Sequence, residues 1–185
     1  MQARHIPNLI TGVRILLVFP VIHFLLERRF GLGLGLFVLA GVSDGLDGFL
    51  AKHYHWQSRL GSYLDPLADK LLLVSCFLVL AWLGLIPVWL TVAVVLRDAI
   101  ILAGAVAYYF LRQPFEGQPH WTSKVNTFFQ LLLVVVALFS QGVRPLPEGL
   151  LSLLYGVVFL TSLVSGVLYV QVWGRRYWRE THPAD

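Results

Sequence analysis

Four aspartates, Asp44, Asp47, Asp65 and Asp69, stand in a sequence that offers them little water. Asp44 and Asp47 are spaced i, i+3, and Asp65 and Asp69 are spaced i, i+4. On a helix these spacings set the members of a pair about 60° and about 40° apart, so each pair projects from one face. The two segments are joined by a short polar stretch and are expected to be antiparallel neighbours, which lets the four carboxylates converge. Their combined negative charge is what two divalent cations would neutralise. All-oxygen ligation suits Mg²⁺ or Mn²⁺ and not zinc, which prefers His or Cys. Two such ions about 3.5–4 Å apart form the clamp used for in-line phosphoryl displacement. Small residues accompany the acids: Gly48 and Ala51 share the face of Asp44, and Gly61 lies one turn before Asp65. They let a bulky ligand approach the backbone. Lys52 closes the first acidic segment with a cation suited to a phosphate. A carboxylate in the centre of a bilayer costs at least ~2.5–3.5 kcal/mol, so something must compensate these. Membrane acids also serve proton relays and ion-coupled transporters, and spacing by itself leaves phosphate chemistry and ion transport both open.

The surrounding elements must be helices in lipid. The chain is 57% hydrophobic and 13% charged, with a mean hydropathy of +0.73, where a soluble domain carries about a quarter charged residues. Six apolar segments approach the roughly 20 residues needed to cross a bilayer: Leu9–Leu26, Gly31–Ala51, Leu64–Leu83, Val88–Leu111, Val125–Ser140 and Leu150–Val172. Backbone groups in hydrocarbon must be satisfied locally, which selects helices. Glu27-Arg28-Arg29, Gly84 with Pro87, Pro114 to Pro119, and Pro145 to Gly149 supply the breaks. Six crossings put both termini on one side. Arg4, Lys52, Arg59, Arg112, Lys124, Arg175, Arg176 and Arg179 fall there, against Arg28, Arg29 and Arg144 opposite, which places both termini in the cytoplasm. The net charge of +4 points to anionic headgroups and not to nucleic acid. Cys76 reads as an inert core thiol, and His23, His53 and His55 as interfacial or loop residues. The tail from Gly174 to Arg179 reads as an interfacial anchor. Residues 1–30 do not resemble a cleaved signal. The compact length suggests a bacterial cytoplasmic membrane, and a mature mitochondrial protein would read the same way.

The run Asp44-x2-Asp47-Gly48-x2-Ala51-Lys52-x8-Gly61-x3-Asp65-x3-Asp69 resembles the signature of the CDP-alcohol phosphatidyltransferases. So do Pro7-Asn8-Leu9-Ile10-Thr11-x2-Arg14, Arg97-Asp98, and Ser123-Lys124-Val125-Asn126-Thr127-x2-Gln130. The resemblance covers about two-thirds of the chain, with little of it in the last helix. It implies an all-α integral membrane protein, residues 1–185 as one domain, with six transmembrane helices around a cytoplasm-facing polar cavity and often a homodimer. It implies that Asp44, Asp47 and Asp65 hold one metal ion and that Asp65 and Asp69 help hold a second. Gly48, Ala51, Lys52 and Gly61, with Asp44, would line the site for the cytidine diphosphate of CDP-diacylglycerol. Asp69 would be the general base that takes the proton of the acceptor hydroxyl, and CMP would leave. At Lys52 the family usually has arginine. Lysine lacks the planar fork, so altered pyrophosphate binding is expected and not loss of activity.

The acceptor alcohol distinguishes the members. Arg97 and Lys124 suit a cationic pocket for an anionic acceptor, although Arg97 also has a neighbour to pair with in Asp98. Arg14 either joins that pocket or snorkels to the surface. Members that accept glycerol 3-phosphate usually carry Arg-Glu at the Arg97-Asp98 position and another arginine about two turns later, where this chain has Ala105. Members that accept phosphatidylglycerol, giving cardiolipin, resemble it more, with Arg-Asp there and a stretch like Ser123 to Thr127. Phosphatidylglycerol is the expected acceptor, with glycerol 3-phosphate as the alternative.

Overall fold

The computed structural model describes the backbone of residues 6–53, 59–111 and 121–181, and the side chains within 12–43, 68–104 and 121–171. Among the described residues there are six helices and no strand: α1 (Ile6–Leu26), α2 (Phe30–His53), α3 (Arg59–Trp82), α4 (Val88–Leu111), α5 (Trp121–Gly142) and α6 (Glu148–Thr181). Each expected apolar segment coincides with one of them, Leu64–Leu83 ending one residue past α3. Two stretches, Trp121–Gly142 and Glu148–Gln171, are long and apolar enough to cross a membrane. Shorter apolar stretches occupy Gly12–Leu26 and Phe30–Ser43.

Two boundaries differ most from the hydropathy reading, for one reason. Helix α3 begins at Arg59 and not at Leu64, so Asp65 stands more than a turn inside it. Helix α6 continues past Val172 to Thr181 through the basic and aromatic tail. Arginine has good helix propensity, so a helix need not stop where its apolar run stops.

The breaks are built from specific caps. At the end of α3, the amide of Leu85 bonds the carbonyl of Leu80 at 2.8 Å and that of Gly84 bonds Ala81 at 3.0 Å. This is a Schellman motif with Gly84 as its left-handed residue, at φ 73°. Pro87 then follows, and its carbonyl accepts from Leu90 at 3.1 Å to open α4. The end of α1 repeats the motif: Arg29 bonds Phe24 at 2.8 Å and Arg28 bonds Leu25 at 3.0 Å. Here the left-handed position, at φ 59°, is occupied by Arg28. A side chain with a Cβ is strained there, by about 1 kcal/mol relative to glycine. Arg28→Gly is therefore expected to stabilise the protein by about that amount, read as a raised unfolding midpoint in detergent. An unchanged or lower midpoint would show that the Arg28 side chain offsets the strain.

The chain forms two compact units, one of Met1–Ile86 with Val134–Pro147 and the other of Pro87–Leu133 with Glu148–Asp185. In the first, α1 packs on both α2 and α3. Its core includes Val18, Val21 and Leu25 of α1, Phe37 and Ala40 of α2, and Leu72, Leu73, Cys76, Phe77 and Leu80 of α3. Cys76 is a free, buried thiol, as expected. In the second unit α4 packs on α6, around Leu90, Val94, Leu154 and Val158.

Large apolar side chains lie on the surface as well as in the core, and several polar ones are buried. Leu16, Phe19, Trp82, Val88, Leu153 and Leu160 are exposed, whereas Arg14, Arg97, Asn126, Gln130, Ser162 and Ser165 are buried. Charged side chains are almost never fully buried in water-soluble proteins unless paired, and amides are mostly exposed.

Candidate active site

Helices α2 and α3 carry the acidic signature within the first unit. Asp44 and Asp47 fall on α2, and Asp65 and Asp69 on α3. The side chains of Asp44, Asp47, Gly48, Ala51, Lys52, Gly61 and Asp65 lie outside the described residues, and so does the expected convergence of the four carboxylates. Asp69 is described, and it has a cation against it. Nη1 of Arg14 donates to its Oδ1 at 2.7 Å.

The local sequence accounts for this contact. On α1, Arg14, Val18, Val21 and Leu25 stand at i, i+4, i+7 and i+11 and are all buried, so Arg14 continues the core-facing stripe. On α3, Asp69 lies three and four residues before the buried Leu72 and Leu73. Arg14 and Asp69 therefore meet where these two packed helices meet. Arg14 is only 2% exposed and Asp69 is 44% exposed. Of the two alternatives for Arg14, snorkelling to the surface does not fit a side chain that is 2% exposed. A guanidinium on the buried stripe of a helix that packs on two others finds a carboxylate instead, and a buried charge persists only when paired.

Of the four aspartates only the side chain of Asp69 is described; it is a carboxylate, half-exposed, that meets Arg14 through Oδ1. Oxygen is the ligand type that Mg²⁺ and Mn²⁺ take. Among the described residues no three His, Cys, Asp or Glu side chains converge, since three of the four aspartates lie outside them. His23 faces Glu27 at 3.3 Å on the exposed side of α1.

The second unit holds the other singled-out cations. Arg97 is 4% exposed and pairs with Asp98, Nη1 to Oδ1, at 2.6 Å. Its Nη2 donates to the hydroxyl of Ser123 on α5 at 2.7 Å and to that of Ser165 on α6. The pairing with Asp98 that adjacency allowed is present. Lys124, the neighbour of Ser123, is exposed. Arg97 thus meets the residue that precedes Lys124. Sequence reasoning gave no role to Asn126 and Gln130, which are fully buried. Their signal was present as two amides one turn apart in an apolar helix.

Among the described residues the chain is all-helical, with exposed apolar side chains, two buried arginines and an acidic pair on each of two consecutive helices. Residues 4–170 match the CDP-alcohol phosphatidyltransferase family, and the chain belongs to it. Relatives include the "Cardiolipin synthase (CMP-forming)" of Rattus norvegicus, 37% identical over 92% of this chain and 62% of the relative. The protein of the same name from Streptomyces coelicolor is 35% identical over 97% of this chain and 87% of the relative. A chloroplastic "CDP-diacylglycerol--glycerol-3-phosphate 3-phosphatidyltransferase 1" of Oryza sativa subsp. japonica is 33% identical over 93% of this chain and 59% of the relative. The chain spans less than two thirds of the length of the rat and rice relatives.

Proposed function

We propose that this protein transfers a phosphatidyl group from CDP-diacylglycerol to the free hydroxyl of phosphatidylglycerol, giving cardiolipin and CMP. The observation that carries the reading is the family match over residues 4–170, which contains the whole acidic signature. The names of the rat and Streptomyces relatives support the acceptor. The rice relative's name supports the second reading, glycerol 3-phosphate as acceptor, against which Ala105 stands where such members usually carry arginine. Family membership favours transfer over ion-coupled transport.

In this proposal Asp44, Asp47, Asp65 and Asp69 hold two divalent ions, Mg²⁺ or Mn²⁺. When bound, these supply positive charge to the pyrophosphate and to the departing CMP. Gly48, Ala51, Lys52 and Gly61 line the nucleotide site on α2 and α3. Asp69 takes the proton from the acceptor hydroxyl as it attacks the lipid-linked phosphorus. Arg14, hydrogen-bonded to Asp69 Oδ1, orients that carboxylate. Arg97 and Lys124 contribute positive charge for the acceptor phosphate. The six helices cross the membrane as one domain with both termini cytoplasmic, in a bacterial cytoplasmic membrane or its mitochondrial counterpart, and the protein is a homodimer.

The test is an acceptor panel. Purified protein receives CDP-diacylglycerol, Mg²⁺ or Mn²⁺, and either phosphatidylglycerol or glycerol 3-phosphate, with CMP and lipid product followed by mass spectrometry. Cardiolipin from phosphatidylglycerol alone is expected, and chelation of the divalent ions is expected to abolish it. Phosphatidylglycerophosphate as the product would replace the acceptor reading with the second one. CMP release with neither acceptor would sink both.

A further inference from the structure

Buried polar atoms need partners, and on α5 several have none among the described residues. Gln130 is fully buried, yet neither its Oε1 nor its Nε2 meets a hydrogen-bond partner. Asn126, one turn earlier, is also fully buried. Its Oδ1 accepts from the hydroxyls of Thr161 at 2.8 Å and Ser162 at 2.9 Å, while its Nδ2 is unused. Thr122, a further turn back, leaves its Oγ1 unused. Positions i, i+4 and i+8 fall within an arc of about 80°, so the three form one stripe. Ser123 borders that arc and holds Nη2 of Arg97, whose Nε is also unused. Folded proteins satisfy about nine in ten of their buried polar groups. A run of unsatisfied atoms on one stripe of one helix therefore marks a place built for something else.

The donors and acceptors say what that is. Gln130 requires a partner that donates to Oε1 and accepts from Nε2. Phosphate oxygens only accept, and a cation would satisfy Oε1 alone. A hydroxyl does both, and it also serves the N–H of Asn126 and the hydroxyl of Thr122. Asn126 and Gln130 are about 6 Å apart along the helix axis, a span that a three-carbon polyol covers. We infer that the stripe Thr122, Asn126 and Gln130 binds the hydroxyls of a polyol, the glycerol headgroup of the acceptor, and so selects which alcohol is accepted. The inference rests on the acceptor reading for its choice of headgroup. Its donor and acceptor logic stands apart from that reading.

Two lipids of the same chains isolate the hydroxyls: phosphatidylglycerol, and phosphatidylmethanol, which has the same phosphodiester and no polyol. Their binding to the full chain in detergent is measured without divalent ions, together with the unfolding midpoint. The wild type is expected to prefer phosphatidylglycerol. Gln130→Met, which keeps the side-chain length, and Thr122→Val, which keeps the shape, are each expected to weaken phosphatidylglycerol about tenfold. Phosphatidylmethanol binding should be unchanged and the midpoint unchanged or raised, since an unpaired polar group is removed. Glycerol 3-phosphate as competitor separates the sources: displacement assigns the stripe to a soluble polyol phosphate, and no displacement assigns it to a lipid headgroup. The inference is overturned if the wild type does not distinguish the two lipids. It is also overturned if both variants keep the preference, which would leave water as the occupant, or if both lipids weaken equally with a lowered midpoint, which would make the role one of packing. CMP release is scored separately: discrimination in binding without transfer keeps this inference and sinks the acceptor reading, and transfer without discrimination does the reverse.

Discussion

Asp69→Asn is expected to slow CMP release by about 10²–10⁴-fold, the usual contribution of a positioned general base. The substitution is nearly isosteric. The asparagine oxygen can still accept from Nη1 of Arg14, which donates to the Asp69 carboxylate at 2.7 Å in the wild type. The fold should therefore survive, with a loss of about 1 kcal/mol, since Asp69 is 44% exposed and solvent screens the pair. Arg14→Gln separates positioning from chemistry. If Arg14 acts through Asp69, adding Arg14→Gln to Asp69→Asn should cost little more than Asp69→Asn by itself, because residues that work as a unit are not additive. The measurement is the rate of CMP release at saturating CDP-diacylglycerol for the wild type, both single variants and the double variant. A near-wild-type rate for Asp69→Asn would remove Asp69 from the chemistry. Strictly additive losses would show that Arg14 acts on something other than this carboxylate.

Gly142→Ala is expected to destabilise the first unit by about 2–3 kcal/mol, in the range of core overpacking. The C-terminal end of α5 lies against the N-terminal end of α2 there. A Cβ on Gly142 would stand 2.7 Å from the carbonyl carbon of Phe30, 2.9 Å from the Cα of Gly31, and closer still to the amide nitrogen of Gly31. These are backbone atoms and cannot rotate away. The sign is what tests the contact, because alanine normally stabilises a helix relative to glycine by about 0.8–1 kcal/mol. Gly156→Ala on α6 is the control: nothing lies within 4 Å of its added Cβ, so that variant should gain stability. Unfolding midpoints of both variants in the same detergent decide the matter. A gain in both would mean that α2 and α5 do not approach so closely at this point.

The local features of the fold were legible because they rest on local causes. Gly84 with Pro87, Glu27 to Arg29, and Pro145 with Pro147 fall between helices as expected, while Gly149 lies in the first turn of α6; turn chemistry and proline geometry act over a few residues. Helix starts were less legible. Hydropathy reports where a segment suits lipid, and α3 gains five residues at its start, from Arg59, that are helical without belonging to the apolar run. The acidic signature suggests its proposed chemistry through spacing, because spacing on a helix determines which carboxylates share a face. That same spacing left ion transport open until the family match over residues 4–170.

From the sequence by itself came the six helices, most of the breaks between them, and the chemistry proposed for the acidic signature. Each of these follows from propensity, period or charge along a short stretch of chain. Only the tertiary structure decided the partners. Periodicity put Arg14 on the α1 stripe but could not choose Asp69, which lies 55 positions away. Adjacency offered Asp98 to Arg97, while packing added Ser123 and Ser165. The unsatisfied amides of Asn126 and Gln130 were likewise invisible in the chain, because a side chain is unsatisfied only with respect to what surrounds it. A charge or an amide carries its need for a partner in its own chemistry, and the packing of helices distant in sequence determines which partner meets it.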